Sequence, residues 1–534
     1  MLLPPALLAS TLLASASASP LLKRASAAPT ATIANGTVEG FSISTFNDQE
    51  AFLGIPFAQP PVGDLRLRKP RVLETTYDGG VYEAKSYSKF CAATGTGRYD
   101  NWPYEQSEDC LYLNVVRPAG TKPGDNLPVG FWIHGGGFSM GGSGDLRYNS
   151  SHSSSLSSIF VSTNYRTSGL GFLASDESGE DVNLGLYDQR LALNWVQENI
   201  AAFGGDPSKV SIWGESAGGS SVGYHLLAYG LTSTPLFRGA IMESGGPSIF
   251  TPKNASSYNA NYQKVLSAAG CADLDCLRGL SLEKFNETVG AYSWGPIVDG
   301  QLVPQSPTSS LKEGKFAPAA LLLGANTDEG ASFGGSGTNT TSELFDSLAR
   351  SYPSMSNSSI ERLLELYPDD PTVGVPANTG DTVLPGGLQQ KRKNAIAGDF
   401  SMHAQRRRLA EYYAQAGNAV YSYRFDQPPQ NATVLSGVGH FVEVAYVFSV
   451  PHEYKTANTL GNRPGDAELA KLTTGQWVSF IHDLDPNGHG IADTPTWPAY
   501  AQNATNFVHR RHGSVVEVDD YRKEGIAFIE SVAN

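Results

Sequence analysis

Short apolar runs rich in β-forming residues alternate with helical patterns along the middle of the chain. Three such runs span residues 128–133, 158–162 and 209–213. Between the second and third, residues 188–200 carry apolar side chains at the spacing of a buried helix face: Leu191, Leu193, Trp195, Val196 and Ile200. Strands that alternate with helices predict a mostly parallel sheet covered on both faces. Ligands of such sheets bind beyond the carboxyl ends of the strands, so the residues that follow each strand are candidate site residues.

A nucleophile motif follows the third run directly. Residues 214–218 read Gly-Glu-Ser-Ala-Gly, and the apolar spacing of Val222, Leu226 and Leu227 predicts a helix after them. A G-x-S-x-G sequence between a strand and a helix is typical of a strained turn that exposes a serine hydroxyl. Ser216 is therefore the candidate nucleophile, and a glycine-rich turn with an incidental serine is the alternative.

A glycine-rich loop follows the first run in the same way. His134-Gly135-Gly136-Gly137 comes after the strand predicted to end at Ile133. Such loops supply backbone N–H groups that bind a developing oxyanion. We predict a three-donor hole made by the N–H groups of Gly136, Gly137 and Ala217, in which each donor stabilises the transition state by roughly 3–4 kcal/mol.

Longer motifs around these two segments identify a family. From Val38 to Tyr521 the chain resembles the type-B carboxylesterase/lipase family, which includes fungal lipases and esterases, cholinesterases and the non-catalytic neuroligins. The motifs that carry the resemblance are EDCLYLN at 108–114, NYR at 164–166, NLGLYDQR at 183–190, AFGGDP at 202–207 and WPAY at 497–500. The resemblance implies an α/β-hydrolase fold, with a large, mostly parallel central sheet flanked by helices, and hydrolysis of a small-molecule ester without a metal or cofactor.

The resemblance also implies the partners of Ser216. The acid of the family lies in an Asp-Glu-Gly segment after a late strand, which here makes Glu329 the match, with Asp328 as the competing carboxylate. The histidine follows a glycine-rich turn, which points to His440 rather than to His134 or His225. The order Ser216, Glu329, His440 is the one expected for this fold.

The cysteines define a loop whose composition indicates the class of ester substrate. Four cysteines fall as two local pairs without metal-ligand spacing, and the resemblance implies the disulfides Cys91–Cys110 and Cys271–Cys276. In the lipases of the family the first loop carries a long amphipathic lid. Here residues 92–109 contain no Leu, Ile, Val or Phe, so the loop has little apolar face for a lipid surface. This favours soluble short- to medium-chain esters over the alternative of an interfacial triacylglycerol lipase or sterol-ester hydrolase.

Two further alternatives are weaker. Trp102 lies near the position of the choline-stacking tryptophan of cholinesterases, but its spacing to Cys110 differs, and a packing or surface role is favoured. A neuroligin-like binding protein would keep the fold without the chemistry. Since all three triad positions are filled, an enzyme is the stronger interpretation.

The N-terminal segment predicts a secreted protein, and the charge and the C-terminus bear on its partners. Residues 1–18 read as a signal peptide, the dibasic pair Lys23-Arg24 marks residues 19–24 as a short pro-segment, and residues 25–534 form a single catalytic domain. The net charge of −14 argues against nucleic acid or an anionic membrane as a partner. No later apolar stretch reaches the roughly 18 residues of a spanning helix, and no lipid-anchor signal ends the chain, so no stable membrane anchor is expected.

N-glycosylation sequons agree with export. Eight asparagines stand in the N-x-[ST] pattern, which predicts a glycosylated extracellular surface. They are Asn35, Asn149, Asn254, Asn286, Asn339, Asn357, Asn431 and Asn503.

Overall fold

A single large sheet organises the chain. The computed structural model describes residues 28–44, 48–93, 104–148, 157–231, 236–248, 253–433, 435–452 and 459–532. The strands are β1 Thr30–Ile33, β2 Gly36–Glu39, β3 Phe41–Ile43, β4 Gln49–Pro56, β5 Val81–Glu83, β6 Phe90–Cys91, β7 Gln106–Ser107, β8 Tyr112–Pro118, β9 Leu127–Ile133, β10 Ile159–Thr163, β11 Gly205–Glu215, β12 Gly239–Glu243, β13 Ala320–Asn326, β14 Val420–Phe425, β15 Thr505–His509 and β16 Val515–Val518. Eleven of these strands form the central sheet in the order β16-β15-β14-β13-β12-β11-β9-β10-β8-β4-β3.

The middle of this sheet is parallel, as the sequence predicts. Strands β9 to β15 pair in parallel with one another, whereas β8, β4, β3 and β16 join at the edges in antiparallel fashion. The three predicted strands correspond to β9, β10 and β11, each within a few residues of its predicted bounds. All seven parallel strands therefore direct their carboxyl ends to one edge, where the site lies.

Helices cover both faces of the sheet. They are α1 Ser168–Phe172, α2 Leu184–Asn199, α3 Ala217–Leu227, α4 Asn259–Ala269, α5 Leu274–Arg278, α6 Leu282–Val289, α7 Pro307–Lys312, α8 Gly330–Phe333, α9 Thr341–Ser351, α10 Asn357–Leu366, α11 Gln390–Gly398, α12 Ala404–Gln415, α13 Val444–Val447, α14 Asp466–Asp483, α15 Tyr500–Asn503 and α16 Lys523–Val532. The predicted helix over 188–200 is α2, whose Leu193, Trp195 and Val196 are buried while Leu191 is half-buried.

The core divides along the sheet because successive side chains of a strand face opposite sides. In β9, Val129, Phe131 and Ile133 join one buried cluster with α2 and α3, and Trp132 joins the other cluster with Trp477 of α14. A third cluster lies among α9, α10, α11 and α16. Both faces of the parallel strands are thus covered, which explains why these strands read as continuous apolar runs.

Both disulfides that the resemblance implies are present. Cys91 bonds to Cys110, and Cys271 bonds to Cys276. No helix in the described ranges is long and apolar enough to cross a membrane. The predictions for residues 1–24, for Trp102 and for Asn149 concern residues outside the described part of the chain.

Candidate active site

Ser216 lies on a turn that only its neighbouring glycines permit. The residue joins the end of β11 to the start of α3 with φ 55° and ψ −121°, a strained conformation for a residue with a side chain. A Cβ on Gly214 would lie 2.5 Å from the carbonyl carbon of Gly218, and a Cβ on Gly218 would lie 2.0 Å from the Ile133 oxygen. The half-buried Ser216 hydroxyl makes no hydrogen bond within the described part of the chain.

The predicted acid and histidine meet at the same edge of the sheet. Glu329 follows β13 and is fully buried, and His440 lies in the long loop after β14. His440 Nδ1 is 2.8 Å from Glu329 Oε2. The other carboxylate oxygen of Glu329 accepts hydrogen bonds from Ser244 Oγ at 2.5 Å and from the Asn326 N–H at 2.8 Å. The carboxylate is therefore held on both oxygens and faces the imidazole.

Asp328, the competing carboxylate, points elsewhere. Its two oxygens accept hydrogen bonds from the backbone N–H groups of Ala377 at 2.7 Å and Val438 at 2.8 Å. Burial raises the pKa of the Asp328 carboxyl, and these two bonds offset part of that rise. Asp328 thus ties the loop that precedes His440 to the loop around Ala377.

A second carboxyl faces the imidazole from the opposite side. Glu215 is 1% exposed, and its Oε1 lies 3.2 Å from His440 Nε2. Burial on its own lowers the pKa of His440, but Glu215 and Glu329 outweigh it and raise the pKa to about 9. Burial in turn raises the pKa of the Glu215 carboxyl, while His440 lowers it. The imidazole is therefore bracketed by two carboxyls, and its protonated form is favoured.

The predicted oxyanion loop lies against Ser216. A Cβ on Gly135 would lie 3.1 Å from Ser216 Cβ. Gly136 has φ 106°, and a Cβ there would lie 2.3 Å from the Met140 oxygen, so no larger residue fits. In the described ranges, the N–H groups of Gly136, Gly137 and Ala217 find no acceptor. They are thus available to a ligand oxygen beside Ser216.

The two histidines near the motifs have other partners. His134 is fully buried, its Nδ1 is 2.8 Å from the Gly135 oxygen, and burial lowers its pKa to about 4. His225 Nε2 is 3.0 Å from Gln189 Oε1, and burial lowers its pKa to about 3. Both are therefore neutral packing residues at neutral pH.

Close packing against a neighbouring helix explains why a glycine follows Glu329. A Cβ on Gly330 would lie 1.7 Å from the Asn394 oxygen, and one on Gly334 would lie 1.9 Å from Asn394 Oδ1. Helix α8 therefore packs directly against α11. This contact fixes the position of the backbone at Glu329.

Sequence reasoning missed a group of buried polar residues beneath the site. Glu443 Oε2 accepts a hydrogen bond from Asn326 Nδ2 at 2.5 Å, and Ser244 Oγ lies 3.2 Å from Glu443 Oε1. Glu243 Oε1 accepts from the indole N–H of Trp477 at 2.7 Å. One signal was available: Glu243 and Asn326 are polar residues at the carboxyl ends of wholly buried strands.

The comparisons with known proteins agree with this geometry. Residues 27–528 match the model of the carboxylesterase family. The chain is 34% identical to the secreted triacylglycerol lipase LIP1 of Gibberella zeae, over 97% of this chain and 92% of that protein. It is 35% identical to lipase 4 of Diutina rugosa, over 95% and 96% of the two chains. The crystal structure of Aspergillus niger EstA matches with a TM-score of 0.84 at 27% identity, over 95% of this chain and 98% of that one.

The chain therefore belongs to the carboxylesterase family. It has the α/β-hydrolase fold, and it is a carboxylic ester hydrolase.

The position of Glu215 predicts a pH effect. A general base must be neutral, so activity should rise with pH through the pKa of His440, which Glu215 and Glu329 raise to about 9. Glu215→Gln removes one of these charges. The acidic limb of the kcat/KM profile should therefore shift to lower pH by at least about one pH unit. The measurement is the pH profile for p-nitrophenyl butyrate, with Glu198→Gln on the exposed side of α2 as the control. An unchanged midpoint would mean that Glu215 carries a proton and does not act through its charge.

Proposed function

We propose that this hydrolase works through an acyl-enzyme on Ser216 and prefers dissolved esters with short or medium acyl chains. The observation that carries the proposed chemistry is the 2.8 Å contact between His440 Nδ1 and Glu329 Oε2 at the sheet edge where the strained turn presents Ser216. A serine, a histidine and a carboxylate from three separate segments at one sheet edge support a mechanism of acyl transfer.

The proposed reaction has two halves. Neutral His440 takes the Ser216 proton at Nε2 while Ser216 Oγ attacks the ester carbonyl carbon, and the alcohol then leaves with that proton. Water, activated by the same imidazole, attacks the acyl-enzyme and releases the acid. Throughout, Glu329 holds the Nδ1–H tautomer and stabilises the imidazolium.

Backbone groups stabilise the charge that develops on the ester oxygen. The N–H groups of Gly136, Gly137 and Ala217 are the proposed donors, and each contributes roughly 3–4 kcal/mol in the transition state. The start of α3 adds its positive dipole end at the same place. The proposed steps use protein groups and water only.

The substrate preference is supported by the loop that Cys91 and Cys110 close. Its eighteen residues, 92–109, include no Leu, Ile, Val or Phe, so the loop offers little apolar surface to a lipid phase. A cholinesterase-like preference stays the weaker alternative, since it depends on Trp102 and on a nearby charge from Glu215, which is buried.

An interfacial lipase is the second candidate. The relatives from Gibberella zeae and Diutina rugosa are named lipases. In addition, Phe333 is 40% exposed although its ring centroid lies 4.9 Å from that of His440. An exposed aromatic ring beside the histidine is a feature that a lipid surface would cover.

Tributyrin distinguishes the two candidates. An esterase for dissolved substrate should show an ordinary saturating increase in rate as tributyrin rises through its solubility limit. The measurement is titrated acid release across that limit, with p-nitrophenyl esters from acetate to palmitate as the companion series. A sharp increase in rate when emulsion forms, or a preference for palmitate, would establish the lipase candidate instead.

We also propose that the mature enzyme, residues 25–534, is a secreted single-domain glycoprotein. Two relatives are named secreted, and the two disulfides suit an oxidising compartment. Of the sequon asparagines that the structure describes, five are exposed and are the best glycan acceptors: Asn254, Asn339, Asn357, Asn431 and Asn503. Asn35 and Asn286 are half-buried, and the side-chain nitrogen of Asn35 donates to the Leu73 and Thr75 oxygens.

A further inference from the structure

Four buried glutamates lie at the site and directly beneath it, with fewer basic groups beside them in the described part of the chain. Glu215, Glu243, Glu329 and Glu443 are each at most 1% exposed. Among the described residues, His440 is the only basic side chain within ion-pair distance of any of them. Several buried carboxylates next to one another are unfavourable, so such a cluster retains protons. The hydrogen-bond geometry identifies one carboxyl of the cluster that carries a proton.

Ser244 connects two of these carboxyls. Its Oγ lies 2.5 Å from Glu329 Oε1 and 3.2 Å from Glu443 Oε1. A hydroxyl has one proton, so it donates to one of these oxygens only. The shorter contact is the length of a charge-assisted O–H···O bond, which assigns the Ser244 proton to Glu329. The contact with Glu443 is then a hydrogen bond only if Glu443 supplies the proton.

The remaining contacts agree with this assignment. Glu329 faces three donors, which are the His440 Nδ1–H, the Asn326 N–H and the Ser244 O–H, as suits an ionised carboxylate. Glu443 Oε2 accepts from Asn326 Nδ2. This leaves Glu443 Oε1, the oxygen that faces Ser244, as the place for a proton.

The electrostatic surroundings of Glu443 favour its neutral form. Burial raises the pKa of the Glu443 carboxyl first, and the charge of Glu329 raises it further, while Asn326 and His440 lower it. Among the described residues, the titratable groups around it are three glutamates, one imidazole and a phenol that burial keeps neutral: Glu215, Glu243, Glu329, His440 and Tyr423. One cation among so many acidic groups leaves little to stabilise another carboxylate.

We propose that Glu443 is a neutral carboxylic acid in the working enzyme and serves as a positioning residue for the catalytic acid. Its O–H donates to Ser244 Oγ, which directs the Ser244 O–H to Glu329. The Glu329 carboxylate is thereby held in line with His440 Nδ1. This inference rests on the proposed roles of Glu329 and His440.

Two substitutions test the assignment. Glu443→Gln keeps a neutral side chain with an N–H donor for Ser244 and an oxygen for Asn326, whereas Glu443→Leu removes both. We expect Glu443→Leu to lower kcat by roughly 10- to 100-fold. Glu443→Gln should lower kcat by only about threefold. Because a neutral acid contributes no charge, the acidic limb of the Glu443→Gln pH profile should coincide with that of the parent.

The opposite results would overturn the proposal. If Glu443 were ionised, Glu443→Gln would remove a negative charge, the pKa of His440 would fall, and the acidic limb would move to lower pH. A kcat for Glu443→Gln as low as that of Glu443→Leu would also contradict it. Should the leucine variant not fold, the pH profile of the glutamine variant decides alone. Ser216→Ala, assayed in parallel, tests the proposed function separately, because its retention of activity would reject the triad whatever Glu443 does.

Discussion

Ser216→Ala is expected to reduce kcat for p-nitrophenyl butyrate by on the order of 10⁶-fold while the protein stays folded. In the proposed mechanism this hydroxyl supplies the attacking oxygen, and alanine has no oxygen to replace it. Its loss costs little stability because the side chain is half-buried and unbonded in the described part of the chain. The measurements are initial rates and the thermal unfolding midpoint.

The matched control is Ser220→Ala, one turn further along α3. Since a serine-to-alanine change outside the chemistry has a small effect, its rate should stay within about twofold of the parent. Substantial hydrolysis by a contamination-free Ser216→Ala preparation would show that another residue is the nucleophile.

Glu329→Gln should lower kcat by about 10⁴-fold, because a neutral amide stabilises the wrong imidazole tautomer and no longer offsets the imidazolium charge. Asp328→Asn is the matched comparison one residue earlier in the chain. Its carboxylate accepts hydrogen bonds from Ala377 and Val438 and does not reach His440. We therefore expect a milder effect on kcat and a loss of about 1–3 kcal/mol in the free energy of unfolding. Steady-state kinetics and denaturant unfolding of both variants measure these effects.

The reverse ranking of the two kcat values would contradict this assignment. It would make Asp328 the acid that acts on His440 and give Glu329 a structural role.

The nucleophile turn could be predicted from sequence because its determinants are local. Gly214, Ser216 and Gly218 lie within one strand-turn-helix unit, and the close contacts at both glycines follow from that unit alone. The parallel sheet was predictable for the same reason, since each buried strand is a continuous apolar run. The pairing of Glu329 with His440 is not local, because 111 residues separate them, and it came from the family resemblance.

The carboxyl cluster could not be predicted in this way. Glu243, Glu329 and Glu443 come together only because β12 and β13 are neighbours and the loop after β14 folds back over their ends. Nothing in the spacing of these residues along the chain encodes that contact. A glutamate or asparagine at the end of an otherwise apolar strand is the one sequence signal of this cluster, and it did not show which groups would meet.

The central claim, that Ser216 is the nucleophile of an acyl-enzyme mechanism, is tested most directly by covalent labelling. The parent enzyme should react with a fluorophosphonate probe in a one-to-one ratio, and peptide mass spectrometry should locate the adduct on Ser216. Ser216→Ala should take up no label, whereas Ser220→Ala should be labelled like the parent. An adduct on another residue, or equal labelling of Ser216→Ala, would contradict the account.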